Sequence, residues 1–464
     1  MKFGGTSTQD AAAIANVVQI VKSHLTQKPI IVISAIAQAT NTLENAGRLA
    51  SEGEPDKAIE LIKALINRHI IIINERINNQ QHNIALRQVF ASALNELEEL
   101  IRGVAILHEL TPRSLDVFYS YGEILSSHIV TAALQEEGIE ALWLDTKEFM
   151  ITDDNYNRAQ PMMEIVEKRL NMLALPLIQR GVVPVTQGYI GVTTSGRRTT
   201  MGRESSDYSA AVIGAALSVN DIQIWTDVDG VLTADPRVVQ SPMKVNILSF
   251  EEAYELSFFG AKVLHPNTML PAIEKNIPIH VYNSRHPSRS GTLVTNSHSS
   301  TDAVVKSIAY KRNIIVLTIK PRKRFSQYIF WEHLYSILTK YAVGANLTTT
   351  SEYSIAIAID AKNNIEAVIH EIESLGILSI EENMGILCLV GSNLRNSPHF
   401  LRRLLTAMSD INIAMISFGA SASSVSILIE DERVVEAVKN VHTEFFSPKP
   451  EGIIFESLDV AAAI

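Results

Sequence analysis

The chain has 464 residues, 46% hydrophobic and 19% charged, which is material for two or three globular domains and excludes a disordered or fibrous protein. A net charge of −10 at pH 7 excludes non-specific attraction to nucleic acid or anionic lipid and leaves small molecules and other proteins as partners. Cys388 is the single cysteine, so an intrachain disulfide and a zinc site of paired cysteines are excluded, and a reducing cytosol fits.

The N-terminus, Met1-Lys-Phe-Gly-Gly-Thr-Ser7, lacks the apolar core of a secretory signal. No membrane span is expected, because the densest apolar stretch, His69 to Asn74, meets Glu75 and Arg76 far short of the ~20 residues that cross a bilayer. Lys2 to Ser7 form the first motif. A short strand and the pair Gly4-Gly5 precede a helix whose Ala11, Ile14, Val17, Val18 and Val21 share one face. Such an arrangement aims backbone N–H groups at an anion beside a neutralising lysine, although a glycine pair is also an ordinary tight turn. It is not a Walker loop, since Gly-x-x-x-x-Gly-Lys is absent.

Short β-branched runs then alternate with helical patterns, which predicts a parallel sheet covered by helices, with strands at Ile30–Ser34, Val182–Thr186, Ile222–Trp225 and Ile277–Tyr282. Asp56 to Gly138 reads as helix throughout. The second motif, Thr199 to Ser209, opens a helix. Gly202 permits close backbone approach, Arg203 offers a fork for a carboxylate, Ser206 can cap the helix and Asp207 can organise lysines. A capped helix with a surface Arg–Asp pair has the same residues. The third motif, Trp225 to Arg237, follows a strand at the place where α/β proteins bind ligands, and it holds Asp227, Asp229, Asp235 and Arg237. Its spacing is not that of an EF-hand, its Asp-Gly and Asp-Pro pairs also make turns, and no metal ligand is assigned. In the fourth, Phe259 to Pro266, Lys262 precedes a predicted helix, and His265 reads equally as a cap or a catalyst.

His286 to Asp302, rich in Ser and Thr with Pro287 and Gly291, reads as a linker or edge loop and marks the main boundary. Beyond it the order strand, helix, strand, strand occurs twice. Ile314–Ile319, Phe330–Tyr341 and Leu347–Asp360 make the first copy, and Gly385–Val390, Phe400–Met408 and Ile413–Glu430 the second.

In this order and at these separations, the four motifs and the doubled C-terminal module resemble aspartate kinase, of the amino acid kinase superfamily. Ser34-Ala-Ile-Ala-Gln-Ala-Thr-Asn41 and Phe118-Tyr-Ser-Tyr-Gly-Glu-Ile124 add to the resemblance. It implies an α/β fold, a three-layer αβα sandwich with a mostly parallel sheet over 1–297, followed by two ferredoxin-like (α+β) ACT domains. The first, 313–382, is inserted into the second, 298–312 plus 383–449, whose displaced first strand is Val304–Lys311. The implied reaction is phosphorylation of the side-chain carboxylate of L-aspartate by ATP with Mg²⁺, without a covalent intermediate, opening the route to lysine, threonine and methionine.

Transferred position by position, the resemblance puts Lys2, Gly4, Gly5 and Lys262 around the ATP phosphates. Thr226, Asp227, Asp235 and Arg237 then line the nucleotide side. Aspartate lies between Arg203, which clamps its α-carboxylate, and Glu123, which receives its ammonium group. Ser34, Thr40 and Ser206 are polar neighbours, and Asp207 orients the lysines. Cytoplasmic location and a homodimer, or dimer of dimers, joined through the ACT domains are also implied. An amino-acid effector is implied at Phe330, Asn346, Thr350 and Ser351.

The chain departs from the family pattern in several places. Only Met1 precedes Lys2, Glu204 stands where glycine is usual, and Ala37-Gln38 replace Ser-Gly. Ile329 and Asn346 replace a glycine and an acidic residue of lysine-sensitive relatives, so weak inhibition by lysine, or none, is expected. Kinases for glutamate, carbamate or nucleoside monophosphates are rival readings, as is a catalytically impaired amino-acid sensor.

Overall fold

The computed structural model describes residues 1–202, 205–260, 264, 268–296, 304–321, 327–361, 365–447 and 454–457. The chain divides into two units, Met1–Gly230 with Val263–Asn296, and Val231–Lys262 with Ser297–Ile464.

In the first unit the apolar runs become strands β1 (Lys2–Phe3), β2 (Ile31–Ile33), β3 (Ala141–Trp143), β4 (Val183–Gln187), β5 (Ile222–Thr226), β6 (Ile279–Asn283) and β7 (Thr292–Thr295). Neighbours run in the order β7-β6-β5-β1-β2-β4-β3. All of these pairs are parallel except β6–β7. Burial on both faces explains why β2 and β4 read as continuous β-branched runs rather than as alternating patterns. Although β1 is two residues long, it has a parallel partner on each side, with Lys2 opposite Val32 and Ile224. The Met1 ammonium donates to the Ile30 carbonyl at 2.8 Å. The linker predicted at His286–Asp302 contains the strand β7. Gly291 takes φ +66° in the turn before it, where a Cβ would meet the Val281 carbonyl at 2.1 Å.

Helix α1 (Ala11–Ser23) starts where the Asp10 carboxylate accepts from the Ala13 N–H at 2.8 Å, and it buries Ile14, Val17, Val18 and Val21 as the periodicity predicts. The helical stretch resolves into α2 (Ala39–Ser51), α3 (Pro55–Arg76), α4 (Gln80–Leu107) and α5 (Pro112–Glu136). Pro55 and Pro112 occupy first-turn positions, while Asn79 and Thr111 cap α4 and α5. Packed against α2, α4 and the sheet, α5 buries nearly every residue from Phe118 to Leu134. Its Phe118, Tyr121, Leu125 and Ile129 share one core with Phe3, Ile33, Val185 and Trp225. Helix α6 (Ser206–Ala216) precedes β5.

The second unit contains the helix α7 (Phe250–Phe258) and the sheet β9-β10-β8-β11-β13-β12. These strands are β8 (Val304–Pro321), β9 (Ala345–Thr350), β10 (Ile355–Asp360), β11 (Gly376–Ser392), β12 (Met415–Phe418) and β13 (Ser424–Glu430). Helices α8 (Gln327–Lys340), α9 (Ile365–Glu373), α10 (Phe400–Ala407) and α11 (Val434–Phe446) complete two ferredoxin-like modules. The sequence predicts separate strands at Val304–Lys311 and Ile314–Ile319. They form one strand, β8, whose early half pairs with Ile386–Ser392 and whose later half pairs with β10. β11 is shared in the same way, and register shifts between Lys311 and Val316 absorb the change of module.

A buried ion pair anchors α7. Lys306 Nζ lies 2.7 Å from Glu252 Oε2, each side chain is 2% exposed, and Glu252 also closes a capping box with Ser249. Lys306→Met should therefore leave a buried carboxylate without its cation and cost about 3–5 kcal/mol in urea unfolding. The double variant with Glu252→Gln should recover most of that loss. A single variant as stable as the parent would show that the pair anchors nothing.

Candidate active site

Because β1, β2, β4 and β5 are mutually parallel, the segments that leave their C-terminal ends emerge on one edge of the sheet. These are Gly4-Gly5, Ser34 to Gln38, Gly188 and Thr226 to Asp229, and this edge is where open α/β sheets take ligands.

Three glycines let the surrounding elements close on one another. A Cβ on Gly5 would stand 2.8 Å from the Ala35 carbonyl oxygen, one on Gly122 of α5 2.7 Å from Ala35 Cβ, and one on Gly188 2.7 Å from Ser206 Cβ. The Ala37 N–H also donates to the Gly5 carbonyl at 3.0 Å. Thus the loops after β1 and β2, helix α5 and the start of α6 meet without intervening side chains.

Within this frame Lys2 Nζ lies 2.6 Å from Asp207 Oδ1, with little of either side chain exposed. Asp207 is in the first turn of α6, where the helix dipole favours its charge. A Cβ on Gly4 would lie 3.6 Å from Lys2 Nζ, so the lysine head is beside the glycine pair. Glu123 follows Gly122 on α5 and is 3% exposed. Burial pushes its carboxyl up to about 8, partly offset by hydrogen bonds from the Ala35 and Glu123 backbone and by the charge of Lys2. Its Oε2 is buried without a hydrogen-bond partner among the described residues, as is the Ser205 hydroxyl.

Ser126 Oγ donates to the Ser34 carbonyl at 2.7 Å, fixing the backbone after β2, and Thr40 is half-buried in the first turn of α2. Ser206 is buried, but it is the first helical residue rather than the cap. The cap position belongs to Ser205, which makes no capping bond through its side chain. Ser206 is instead packed against Gly188.

Thr226 ends β5 and donates to Asp227 at 3.3 Å, while Asp227 is exposed. Asp229 pairs with Arg289 and accepts from Asn283 at 2.8 Å. Asp235 and Arg237 belong to the second unit and pair with each other at 2.6 Å, with a further bond to Asp235 from the Tyr310 hydroxyl. Arg203, Glu204, Lys262 and His265 lie outside the described residues. Among the described residues no group of three or more His, Cys, Asp or Glu side chains is placed to hold a metal.

The motifs pass over Asp116. It is fully buried on α5, accepts from the Thr200 hydroxyl at 2.5 Å and from the Asn157 N–H, and so holds the strand Arg198–Thr200 that leads into the second motif. Burial raises its carboxyl above the usual range, with those bonds opposing. Asp116, Ser120 and Glu123 fall at i, i+4 and i+7 on α5, but Ser126, Ser127 and Thr131 are buried there as well, so spacing alone does not single out Asp116.

Of the effector positions, Phe330 lies in the helix-side core with Ile357 and Ile359. Asn346 bonds to Lys311 and Asp360, Thr350 is exposed, and Ser351 spends its hydroxyl on the turn with Ser354.

Residues 1–283 match the amino acid kinase family, and residues 387–445 match the ACT domain. Aspartokinase 3, chloroplastic, of Arabidopsis thaliana is 34% identical over 96% of this chain and 81% of its own length. Lysine-sensitive aspartokinase 3 of Escherichia coli strain K12 is 32% identical over 96% of this chain and 98% of its own. The chain belongs to the aspartokinase family. A crystal structure of E. coli aspartokinase III in complex with aspartate and ADP superimposes with a TM-score of 0.83 at 31% identity, covering 96% of this chain and 99% of that one. The aspartokinase fold expected from the motifs, a mostly parallel kinase sheet followed by ACT modules, is the fold observed.

Gly5→Ala should force the Ala35 backbone to move and destabilise the first unit by about 1–3 kcal/mol. Ala35→Gly should not rescue it, because the obstacle is a carbonyl oxygen. Unchanged thermal melting of Gly5→Ala would show that the two loops are not clamped.

Proposed function

We propose that this chain transfers the γ-phosphoryl group of ATP to the side-chain carboxylate of L-aspartate. The observation that carries the proposal is the Glu123 carboxyl oxygen that has no hydrogen-bond partner among the described residues, buried beside the Lys2–Asp207 pair at the strand-end edge. An ammonium group of an α-amino acid would supply the partner that Glu123 lacks among the described residues. The proposal is further supported by the E. coli relative, whose structure holds aspartate and ADP.

The aspartate side-chain carboxylate has a pKa of ~3.9 and is ionised at neutral pH, so no general base is required. What opposes reaction is the approach of one anion to another. Lys2, held in place by Asp207, and the N-terminus of α6 supply fixed positive potential where the phosphates arrive, with Lys262 in the same role. Gly4 and Gly5 leave the backbone open to those phosphates, and Arg203 clamps the α-carboxylate of aspartate. Mg²⁺ enters on the nucleotide as part of the substrate and adds charge neutralisation, since such ions are commonly held by phosphates and waters with few protein ligands. Attack of the carboxylate oxygen on the γ-phosphorus expels ADP and leaves 4-phospho-L-aspartate, with no covalent enzyme intermediate.

The same proposal includes a kinase domain over 1–297, ACT domains over 313–382 and over 298–312 plus 383–449, and a cytoplasmic homodimer joined through them. It places the reaction first on the route to lysine, threonine and methionine. Thr226 and Asp227 face the nucleotide, as do Asp235 and Arg237, while Ser34, Thr40 and Ser206 contact aspartate. Weak lysine inhibition is supported by the commitment of the neutral Asn346 amide to Lys311 and Asp360.

Mg-ATP and L-aspartate together should give ADP and an acyl phosphate that hydroxylamine traps. Trapping with glutamate instead, or none from folded protein, would contradict the assignment. Glu123→Gln should raise the aspartate KM at least about tenfold and leave the ATP KM unchanged, because a charge-assisted bond to ammonium is lost. Equal effects on both substrates would remove Glu123 from the aspartate site. Lys2→Met should lower kcat by about 10²–10³-fold. Near-normal kcat in a folded variant would deny the lysine its role.

A further inference from the structure

In the phosphoryl-transfer proposal two charged groups read the two ends of the α-amino acid, Glu123 its ammonium and Arg203 its α-carboxylate. They come from separate parts of the chain. Glu123 is on α5, and Arg203 follows Gly202 in the second motif. Their separation has to be held closely, because a misplacement of about 1 Å can cost on the order of 10²-fold in rate.

Asp116 is bonded across this gap. It lies on α5 about two helical turns before Glu123, with none of its surface exposed. Its carboxylate accepts from the Thr200 hydroxyl at 2.5 Å and from the Asn157 N–H at 3.0 and 3.1 Å. Thr200 ends the strand Arg198–Thr200, two residues before Gly202. The start of that strand is fastened to the same helix by Arg198, which donates to the Ser120 hydroxyl at 3.2 Å and sits over the Tyr121 ring, 4.8 Å from its centroid.

The Asn157 loop reaches Gly202 from the other side. Asn157 is held at φ +66°, and its carbonyl oxygen lies 3.7 Å from where a Cβ on Gly202 would stand. Gly202 takes φ +102°, a conformation that glycine adopts without strain. The Ala159 N–H donates to the Thr200 carbonyl at 2.9 Å, and Asp153 closes the loop by accepting from the Asn155 and Gln160 N–H groups. One carboxylate therefore joins helix, loop and strand immediately before Arg203 in the chain. An apolar side chain at position 116 could fill the space without fixing the strand along the helix, whereas hydrogen bonds to a buried charge are strong and directional. Buried and committed to these donors, Asp116 acts through its neighbours rather than on the substrate.

We propose that Asp116 is a positioning residue of the aspartate site. It sets the separation between Glu123 and the Gly202 turn, and with it the fit of the α-amino acid between Glu123 and Arg203. The inference rests on the phosphoryl-transfer proposal for the identity of the substrate.

The test is steady-state ADP release by the full-length protein with Mg-ATP and L-aspartate varied in turn. Thr200→Val keeps the side-chain shape and removes the hydroxyl donor, so it should raise the aspartate KM about tenfold or more and leave the ATP KM within about twofold of the parent. Thr200→Ser keeps the hydroxyl and should stay close to the parent. Asp116→Asn should raise the aspartate KM at least as far as Thr200→Val, with melting curves showing whether it folds. No aspartate-dependent ADP release by the parent would remove the phosphoryl-transfer proposal and this inference with it. With an active parent, an unchanged aspartate KM in Thr200→Val, an equal rise in both KM values, or the same defect in Thr200→Ser would overturn this inference alone.

Discussion

A buried acid, one of whose oxygens has no hydrogen-bond partner among the described residues, is the constraint on which the first unit turns. Taking Glu123 out of water disfavours its charge strongly enough to push the carboxyl up to about 8, even with two backbone N–H groups and Lys2 acting the other way. Such a group destabilises the empty protein unless it stays protonated, and it gains most when a cation arrives. Everything around it serves that position. Gly122 brings α5 against Ala35, Gly5 brings the first loop against the same residue, and Asp207 holds the Lys2 ammonium nearby. The parallel sheet supplies the common edge.

Much of this was legible because it rests on local chemistry. The buried face of α1, the proline and side-chain starts of the long helices and the doubled C-terminal module each leave a short-range pattern. Glu123 and Lys2 were legible through motif resemblance rather than through spacing, since a lone acid on a helix has many explanations. The missing parts depend on contacts far apart in sequence. No local signal joins Val304–Lys311 to Ile314–Ile319 in one strand, because the continuity is imposed by pairing with β11 residues more than fifty positions away. Strand β7 hides in a Ser- and Thr-rich stretch because it is only four residues long and its partner β6 is set by the fold rather than by a local pattern. Asp116 was missed because its partners, Thr200 and Asn157, come from another part of the chain. Ser206 was read as a cap from its type alone, whereas close packing on Gly188 decides its place.

The second unit solves a similar electrostatic problem in two ways. Glu252 is buried and satisfied by Lys306 and by the backbone at the start of α7, and it acts as an anchor. Glu255, one turn along, faces a cavity and accepts from the Ser421 and Ser424 hydroxyls. The same helix therefore carries a carboxylate closed by a lysine, which holds it in place, and another that faces a cavity.

The most direct test of the account is a proton inventory. Aspartate is titrated into the protein with a non-hydrolysable ATP analogue at pH 7, in two buffers of different ionisation enthalpy. With the Glu123 carboxyl at about 8 in the empty site, binding of an ammonium group requires its ionisation, so about one proton should be released per aspartate, and affinity should rise with pH toward 8. Glu123→Gln should abolish the release. Binding with no proton released, or with release unchanged in Glu123→Gln, would contradict the claim that the buried Glu123 receives the substrate.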